Sequence, residues 1–288
     1  MPETGAESGW TEGGARVGDV RLHWIETGAG EPVVLLHGFP EFGYAWRHQL
    51  PALAAAGFRA VAPDMRGYNR SDKPGGVRSY RIERLVEDVV GLVKALGAER
   101  VHLVGHDWGG VVAWYVAMLH PEVVERLVII NAPHPAVFRR EIRKPDQFLR
   151  SWYVYFFQLP RIPEWAIRRN DFALLKRIFR YDPVHPGAYT DAEIGRYREA
   201  AAQPGALTAM LNYYRAFRFP RPAPRPVRAS TMLVWGMKDQ ALSPRNTEGL
   251  EEWVPDLRIQ RIEDSSHWVM SDVPERASEL IAGFLRST

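Results

Sequence analysis

The stretch Gly105-His106-Asp107-Trp108-Gly109-Gly110 constrains this chain more than any other. Before it, Val101-His102-Leu103-Val104 is short and apolar and reads as a buried strand. After it, Val111 to Leu119 reads as a helix ended at His120-Pro121. The order is therefore strand, sharp corner, helix. Gly105 and Gly109 flank Asp107 two positions to either side. Small neighbours let the backbone fold tightly enough to push one side chain out over the sheet. The residue so displayed is an aspartate.

The surrounding pattern is an alternation of strands and helices. Arg16 to Thr27 alternates polar and apolar residues, as a half-buried strand should, and Gly28-Ala29-Gly30 turns the chain back. Val33 to Leu36 is wholly apolar, the mark of a parallel strand covered on both faces. Trp46 to Ala56 reads as helix, Phe58 to Ala62 as strand, and Ile82 to Leu96 as an amphipathic helix stopped by Gly97. Leu127 to Ile130 is a further buried strand. From about Pro133 to Pro226 the strand signal vanishes, and helical stretches rich in aromatics and arginine take over: 147–157, 164–169, 172–179, 191–202 and 206–217. A proline-rich tract, Pro220 to Pro226, closes the insertion. The alternation then resumes with a strand at 232–235, a helix at 244–254, a strand at 257–262 and a helix at 275–285.

Such a pattern implies a mostly parallel, doubly wound sheet with a core of residues 16–133 and 227–288. Residues 134–226 are expected to form a helical cap beyond a strand C-terminus, where ligands bind in such sheets. The polar, Gly-rich residues 1–15 are expected to be poorly ordered and carry no apolar leader.

Charge is uneven. Between His134 and Arg228 there are 18 Lys+Arg and 8 Asp+Glu, a surplus of ten, whereas the whole chain carries only +3. Solvated helix faces account for such a surplus without a nucleic-acid partner, and no nucleic-acid-binding motif accompanies it. There are no cysteines, which removes disulfides and thiolate metal sites. No apolar run is long enough for a membrane span. Cytoplasmic residence is the default expectation, as a monomer or homodimer, without metal or cofactor.

The chemistry follows from the residue types. A carboxylate with an ordinary pKa of about 3.9 is ionised at neutral pH and attacks without a base. Toward an ester it is the better leaving group, so it attacks poorly. Toward a strained or polarised sp3 carbon it is competent and yields an alkyl–enzyme ester. Capping the next helix is the alternative role for Asp107, and the paired glycines argue against it. His267, after the last strand, is placed to activate water against that ester, and Asp239, at the end of the preceding strand, to hold the imidazole. His37-Gly38-Phe39-Pro40 ends the strand expected beside the elbow strand. The backbone N–H groups of Phe39 and Trp108 would form an oxyanion hole. His37, Pro40 and Trp108 are expected to contact substrate.

With HGFPE at 37–41, DMRGYNRSDKP at 64–74, GHDWGG at 105–110 and the Asp239/His267 pair, the chain resembles the α/β-hydrolase-fold epoxide hydrolases from about Arg16 to Phe284. The resemblance implies conversion of an epoxide, apolar to judge from the aromatic insertion, and water to a vicinal diol. It also implies two cap tyrosines that protonate the epoxide oxygen, matched here by Tyr153 and Tyr214 rather than by their neighbours Tyr155 and Tyr213. One departure is Gly67-Tyr68-Asn69 where the family has Gly-Tyr-Gly. Asn tolerates left-handed backbone, so the turn should survive.

The same motifs are shared with dehalogenases. Fluoroacetate-type enzymes place Arg after the nucleophile, where this chain has Trp108. Haloalkane-type enzymes pair that Trp with an Asn or second Trp, and Phe39 stands where the Asn would be. A non-catalytic receptor of this fold is the other alternative, disfavoured by the complete Asp107, Asp239 and His267 set. A serine-type esterase is disfavoured by Asp107 itself.

Overall fold

A computed structural model describes residues 9–287. Eight strands form one sheet in the order β1-β2-β4-β3-β5-β6-β7-β8. The strands are β1 (Thr11–Val17), β2 (Val20–Thr27), β3 (Pro32–Leu36), β4 (Arg59–Asp64), β5 (Val101–His106), β6 (Val124–Ile130), β7 (Ser230–Gly236) and β8 (Leu257–Ile262). β2 runs antiparallel to β1 and β4, and the other pairings are parallel.

The sheet is covered on both faces because its central strands are apolar on both. Val34, Leu36, Leu103, Leu127 and Ile129 belong to one core, which also holds helices α2 (Ile82–Ala95) and α3 (Trp108–Leu119). Val33, Leu35, Val104, Val128 and Ile130 belong to the other, with α1 (Gln49–Ala55) and α11 (Pro274–Arg286). α2 buries Ile82, Leu85, Val86, Val89, Leu92 and Val93 along one stripe. Truncating any one of its leucines to Ala is expected to cost about 2–5 kcal/mol. α3 is buried almost all round and stops at His120, which leaves the helical region before Pro121.

The helical insertion lies between β6 and β7 and carries no strand among the described residues. It comprises α4 (Pro135–Glu141), α5 (Pro145–Arg150), α6 (Trp152–Phe156), α7 (Ile162–Tyr181), α8 (Asp191–Ala202) and α9 (Ala206–Arg215). α7 kinks at 169–172, where Asn170, Asp171 and Phe172 take positive φ. The two stretches read as separate helices are two helices that meet at this break. After β8, a four-residue helix α10 (Val269–Asp272) precedes α11.

Three expectations need correction. Residues 1–15 are not all poorly ordered: Thr11–Val17 is a strand, paired with β2 through the register Val17↔Val20. Pairing needs only backbone, and polar residues are tolerated on an edge. Gly13 is required there, because a Cβ would come within 2.3 Å of the Trp24 ring. Residues 1–8 lie outside the described residues. Next, the single strand read over Arg16 to Thr27 is a hairpin, turned at Gly18 and Asp19. Last, the helix expected over 244–254 is only a 3-10 turn, Pro244–Thr247, broken by Gly249 in positive φ. The Asn69 expectation fits the backbone, with φ at 37°.

Candidate active site

Asp107 joins β5 to α3 with φ 49° and ψ −119°, a conformation that costs a non-glycine residue about 1–3 kcal/mol. The corner is close enough to its neighbours to demand glycine. A Cβ on Gly109 would lie 2.2 Å from the Leu36 carbonyl oxygen, and one on Gly38 would lie 2.5 Å from the Asp107 Cβ. β3 and β5 are adjacent, so the loop after β3 reaches the elbow. There the Phe39 N–H donates to Asp107 Oδ1 at 2.8 Å. The other carboxylate oxygen, Oδ2, is 3.8 Å from His267 Nε2.

His267 is buried on the loop between β8 and α10. Asp272 grips that loop, accepting from the Ser266 N–H at 2.7 Å and the Ser266 hydroxyl at 2.6 Å. Its other oxygen accepts from the Val184 N–H at 3.0 Å, tying the insertion to the same loop. His267 Nδ1 lies 2.7 Å from Asp239 Oδ2. Burial alone would lower the His267 pKa. The charge and hydrogen bond of Asp239, then the carboxylates of Asp107 and Asp182, outweigh it and raise the value to about 10. Asp239 is fully buried, which opposes its charge, yet it is held below the usual range. The charge and hydrogen bond of His267, the Asn131 side chain and the Leu242 N–H account for that.

A cavity of about 420 Å³ opens onto Asp107. Its wall includes Trp108, Tyr153 and Tyr214, with Phe138, Phe217 and Leu242. The Tyr153 and Tyr214 rings meet edge to face at 5.9 Å. Burial and the Asp107 carboxylate raise both phenols above their ordinary pKa, so both stay protonated. The neighbouring tyrosines differ. Tyr213 spends its hydroxyl on the Arg66 carbonyl at 2.7 Å, away from the cavity. Tyr155 reaches the cavity wall but is half exposed.

Two expected substrate contacts are not in that wall. His37 is fully buried, its Nδ1 2.9 Å from the Gly38 carbonyl and its Nε2 accepting the Met65 N–H at 3.0 Å. Burial lowers its pKa, and its role is to brace the loop. Pro40 is buried and is likewise absent from the lining. The loop meets the elbow through its backbone, at Gly38 and the Phe39 N–H, rather than through these two side chains.

Several neighbours were not singled out from sequence. Asn131, directly after β6, donates from Nδ2 to Asp239 Oδ2 at 2.6 Å. The signal available was a polar residue closing an apolar strand, as at Asp107 and Asp239. His106 lies between Glu41 Oε2 and the His267 carbonyl, 3.0 Å from each. Asp182 accepts from the Trp268 indole at 2.7 Å. These pairings join residues far apart in sequence, and no spacing announces them.

The family model described as the alpha/beta hydrolase fold matches residues 31–274. An AB hydrolase superfamily protein of Bacillus subtilis, YfhM, is 42% identical over 273 residues, covering 93% of this chain and 95% of that one. Epoxide hydrolase 2 of Caenorhabditis elegans is 37% identical over 294 residues, covering 99% and 82%. A mutant epoxide hydrolase from Bacillus megaterium, solved with its product, a naphthyloxy-propane-1,2-diol, superposes with a TM-score of 0.89 at 33% identity, covering 96% of this chain and all of that one. The chain belongs to the α/β-hydrolase family, in its epoxide hydrolase branch.

Proposed function

We propose that this protein hydrolyses an epoxide to a vicinal diol through an ester on Asp107. The observation that carries the reading is one cavity whose wall holds both an elbow carboxylate and two tyrosines kept protonated beside it. A carboxylate alone opens an epoxide poorly, because the departing alkoxide is a strong base. Phenols that resist ionisation are suited to protonate it in the same step. The helical insertion serves as the lid that supplies them.

Oδ1 of Asp107 is engaged by the Phe39 N–H, so Oδ2 is the attacking atom. As its bond to the ring carbon forms, the C–O bond of the epoxide breaks and its oxygen takes a proton from Tyr153 or Tyr214. The resulting phenolate is more basic than His267, and the imidazolium returns the proton by way of solvent. That transfer leaves His267 neutral. Ester formation has also removed the Asp107 charge, one of the causes that raised the His267 pKa. His267 then takes a proton from water as the hydroxide adds to the ester carbonyl. The carbonyl oxygen develops charge at Oδ1, facing the Phe39 N–H, with the Trp108 N–H as the second donor. Collapse of this intermediate breaks the bond between the acyl carbon and the substrate oxygen, and the departing alkoxide takes the proton of the newly added hydroxyl, so that the diol leaves and the Asp107 carboxylate and the His267 imidazolium are restored. Asp239 holds the imidazole throughout.

Product analysis with an aryl epoxide, an aliphatic epoxide, a haloalkane and a haloacetate tests the reading. Diol without halide is expected. Halide without diol would overturn it in favour of dehalogenation.

A further inference from the structure

The wall of the active-site cavity contains one carboxylate, Asp107, and three guanidinium side chains, Arg139, Arg218 and Arg221. Arg139 comes from α4 at the start of the insertion, and the other two follow α9 at its end. The fold has therefore gathered them from opposite ends of the insertion. Their neighbours are neutralised: Arg140 pairs with Glu141 at 2.6 Å, and Arg215 pairs with Glu164 at 2.6 Å. The three in the cavity wall make no ion pair with any described residue. Arg221 lies over the Phe217 ring, 4.6 Å from its centroid. Desolvation lowers its pKa, Tyr115 opposes that shift, and the like charge of Arg139 adds to it. All three residues are exposed to solvent, which screens their mutual repulsion, and together they lend the cavity a positive potential that only Asp107 in the wall offsets.

From this juxtaposition we infer that the substrate is an epoxide carrying an oxyanion, a carboxylate in the first instance, remote from the ring, and that Arg139, Arg218 and Arg221 receive that anion while the ring reaches Asp107. The inference rests on the epoxide-hydrolase reading and narrows it. The aromatic residues of the same wall, with Trp108 and Phe217 stacked at 5.0 Å, suit an apolar spacer. Guanidiniums suit planar oxyanions by paired N–H donation.

The test uses an aryl glycidyl ether bearing a ring carboxylate, its methyl ester, and the corresponding diol acid and diol ester as non-reacting ligands. At low salt, kcat/KM for the acid is expected to exceed that for the ester by about tenfold, and the ratio should fall as salt rises. In the triple variant R139Q/R218Q/R221Q the acid-to-ester ratio should fall to about one, whereas R139K/R218K/R221K retains a preference for the acid. Using the ratio within each protein cancels any general loss of activity. Calorimetric binding of the diol acid against the diol ester supplies the same ratio without turnover. Equal binding and equal turnover of acid and ester by the unaltered protein would overturn the inference, as would a preference that survives in the glutamine variant. Absence of diol from either epoxide, with the diol acid still bound selectively, would strike the catalytic reading and leave the anion site standing.

Discussion

Asn131 Nδ2 and His267 Nδ1 converge on the same oxygen of Asp239, at 2.6 Å and 2.7 Å. Asp239 Oδ1 accepts the Ala241 and Leu242 N–H groups, both at 2.8 Å, so the buried carboxylate is saturated with donors. Asn131 is itself pinned, its Oδ1 accepting the Gly236 N–H at 2.9 Å across the ends of β6 and β7. Replacing Asn131 with Ala removes a donor to a buried charge, a loss of about 1–3 kcal/mol. The expected result is a lower melting temperature and an ester-hydrolysis step slowed by about tenfold, with the ring-opening step less affected. Rapid-quench single-turnover kinetics resolve the two steps. An unchanged hydrolysis rate would remove Asn131 from the positioning of Asp239.

Loss of the base should strand the intermediate. His267→Gln is expected to add the mass of one epoxide to the intact protein, and Asp107→Ala to show neither adduct nor turnover. Mass spectrometry of the undigested protein after mixing decides both. Diol formation by Asp107→Ala would remove the covalent step altogether.

The Asp107 carboxylate is one of the causes holding the His267 pKa near 10. Asp107→Asn should therefore move the imidazole titration to lower pH, read from ring resonances of labelled histidine. The linkage has a definite sign. A histidine whose folded pKa is raised binds more protons folded than unfolded between about 6.5 and 10, so its stabilisation is complete below that window and is lost as pH rises through it. Denaturation midpoints of the unaltered protein should fall across that range, and those of the Asp107→Asn variant should fall less steeply. An unmoved imidazole titration would mean that the two groups do not interact.

The paired tyrosines are expected to share the proton donation. Tyr153→Phe and Tyr214→Phe should each slow ester formation by about tenfold to a hundredfold, and the double variant by more than either. Tyr213→Phe is the contrast. It removes the bond to the Arg66 carbonyl, so it should cost stability while sparing the chemical step. Stopped-flow quenching of tryptophan fluorescence measures the ester-forming rate in each. A Tyr213 effect as large as that of Tyr214 would show that the neighbours had been assigned the wrong way round.

Much of this was legible because the relevant signals are local. Apolar runs at Val33 to Leu36 and Leu127 to Ile130 announce strands buried on both faces, and the paired glycines about Asp107 announce the corner. What stayed hidden depends on contacts between distant segments. Thr11 to Ala15 look unstructured because an edge strand needs only a partner's backbone, and β2 supplies it. His37 carries a catalytic residue type next to a functional loop, yet its ring turns inward to the Met65 N–H. Arg139, Arg218 and Arg221 belong to a generally basic insertion, and only their place in one cavity wall singles them out. Sequence reports residue type and period, whereas facing into a cavity is a property of tertiary packing.

His134, the residue that begins the insertion, offers a test of that packing by acid. It is fully buried, with its ring stacked on Trp253 at 5.6 Å and edge-on to Trp114 at 5.1 Å. Nδ1 accepts the Ala136 N–H, and Nε2 has no partner among the described residues. Burial lowers its pKa from 6.5 to about 4. The folded protein therefore binds fewer protons than the unfolded chain between those values, and stability falls as pH drops from 6.5 toward 4. At full effect the loss is on the order of 3 kcal/mol. Asn in place of His134 keeps a side-chain acceptor for the Ala136 N–H and removes the titration. Chemical denaturation at pH 7 and pH 4.5 should show a smaller acid-induced loss in that variant than in the unaltered protein. Equal losses would mean that the imidazole takes up its proton without leaving its place between the two tryptophans.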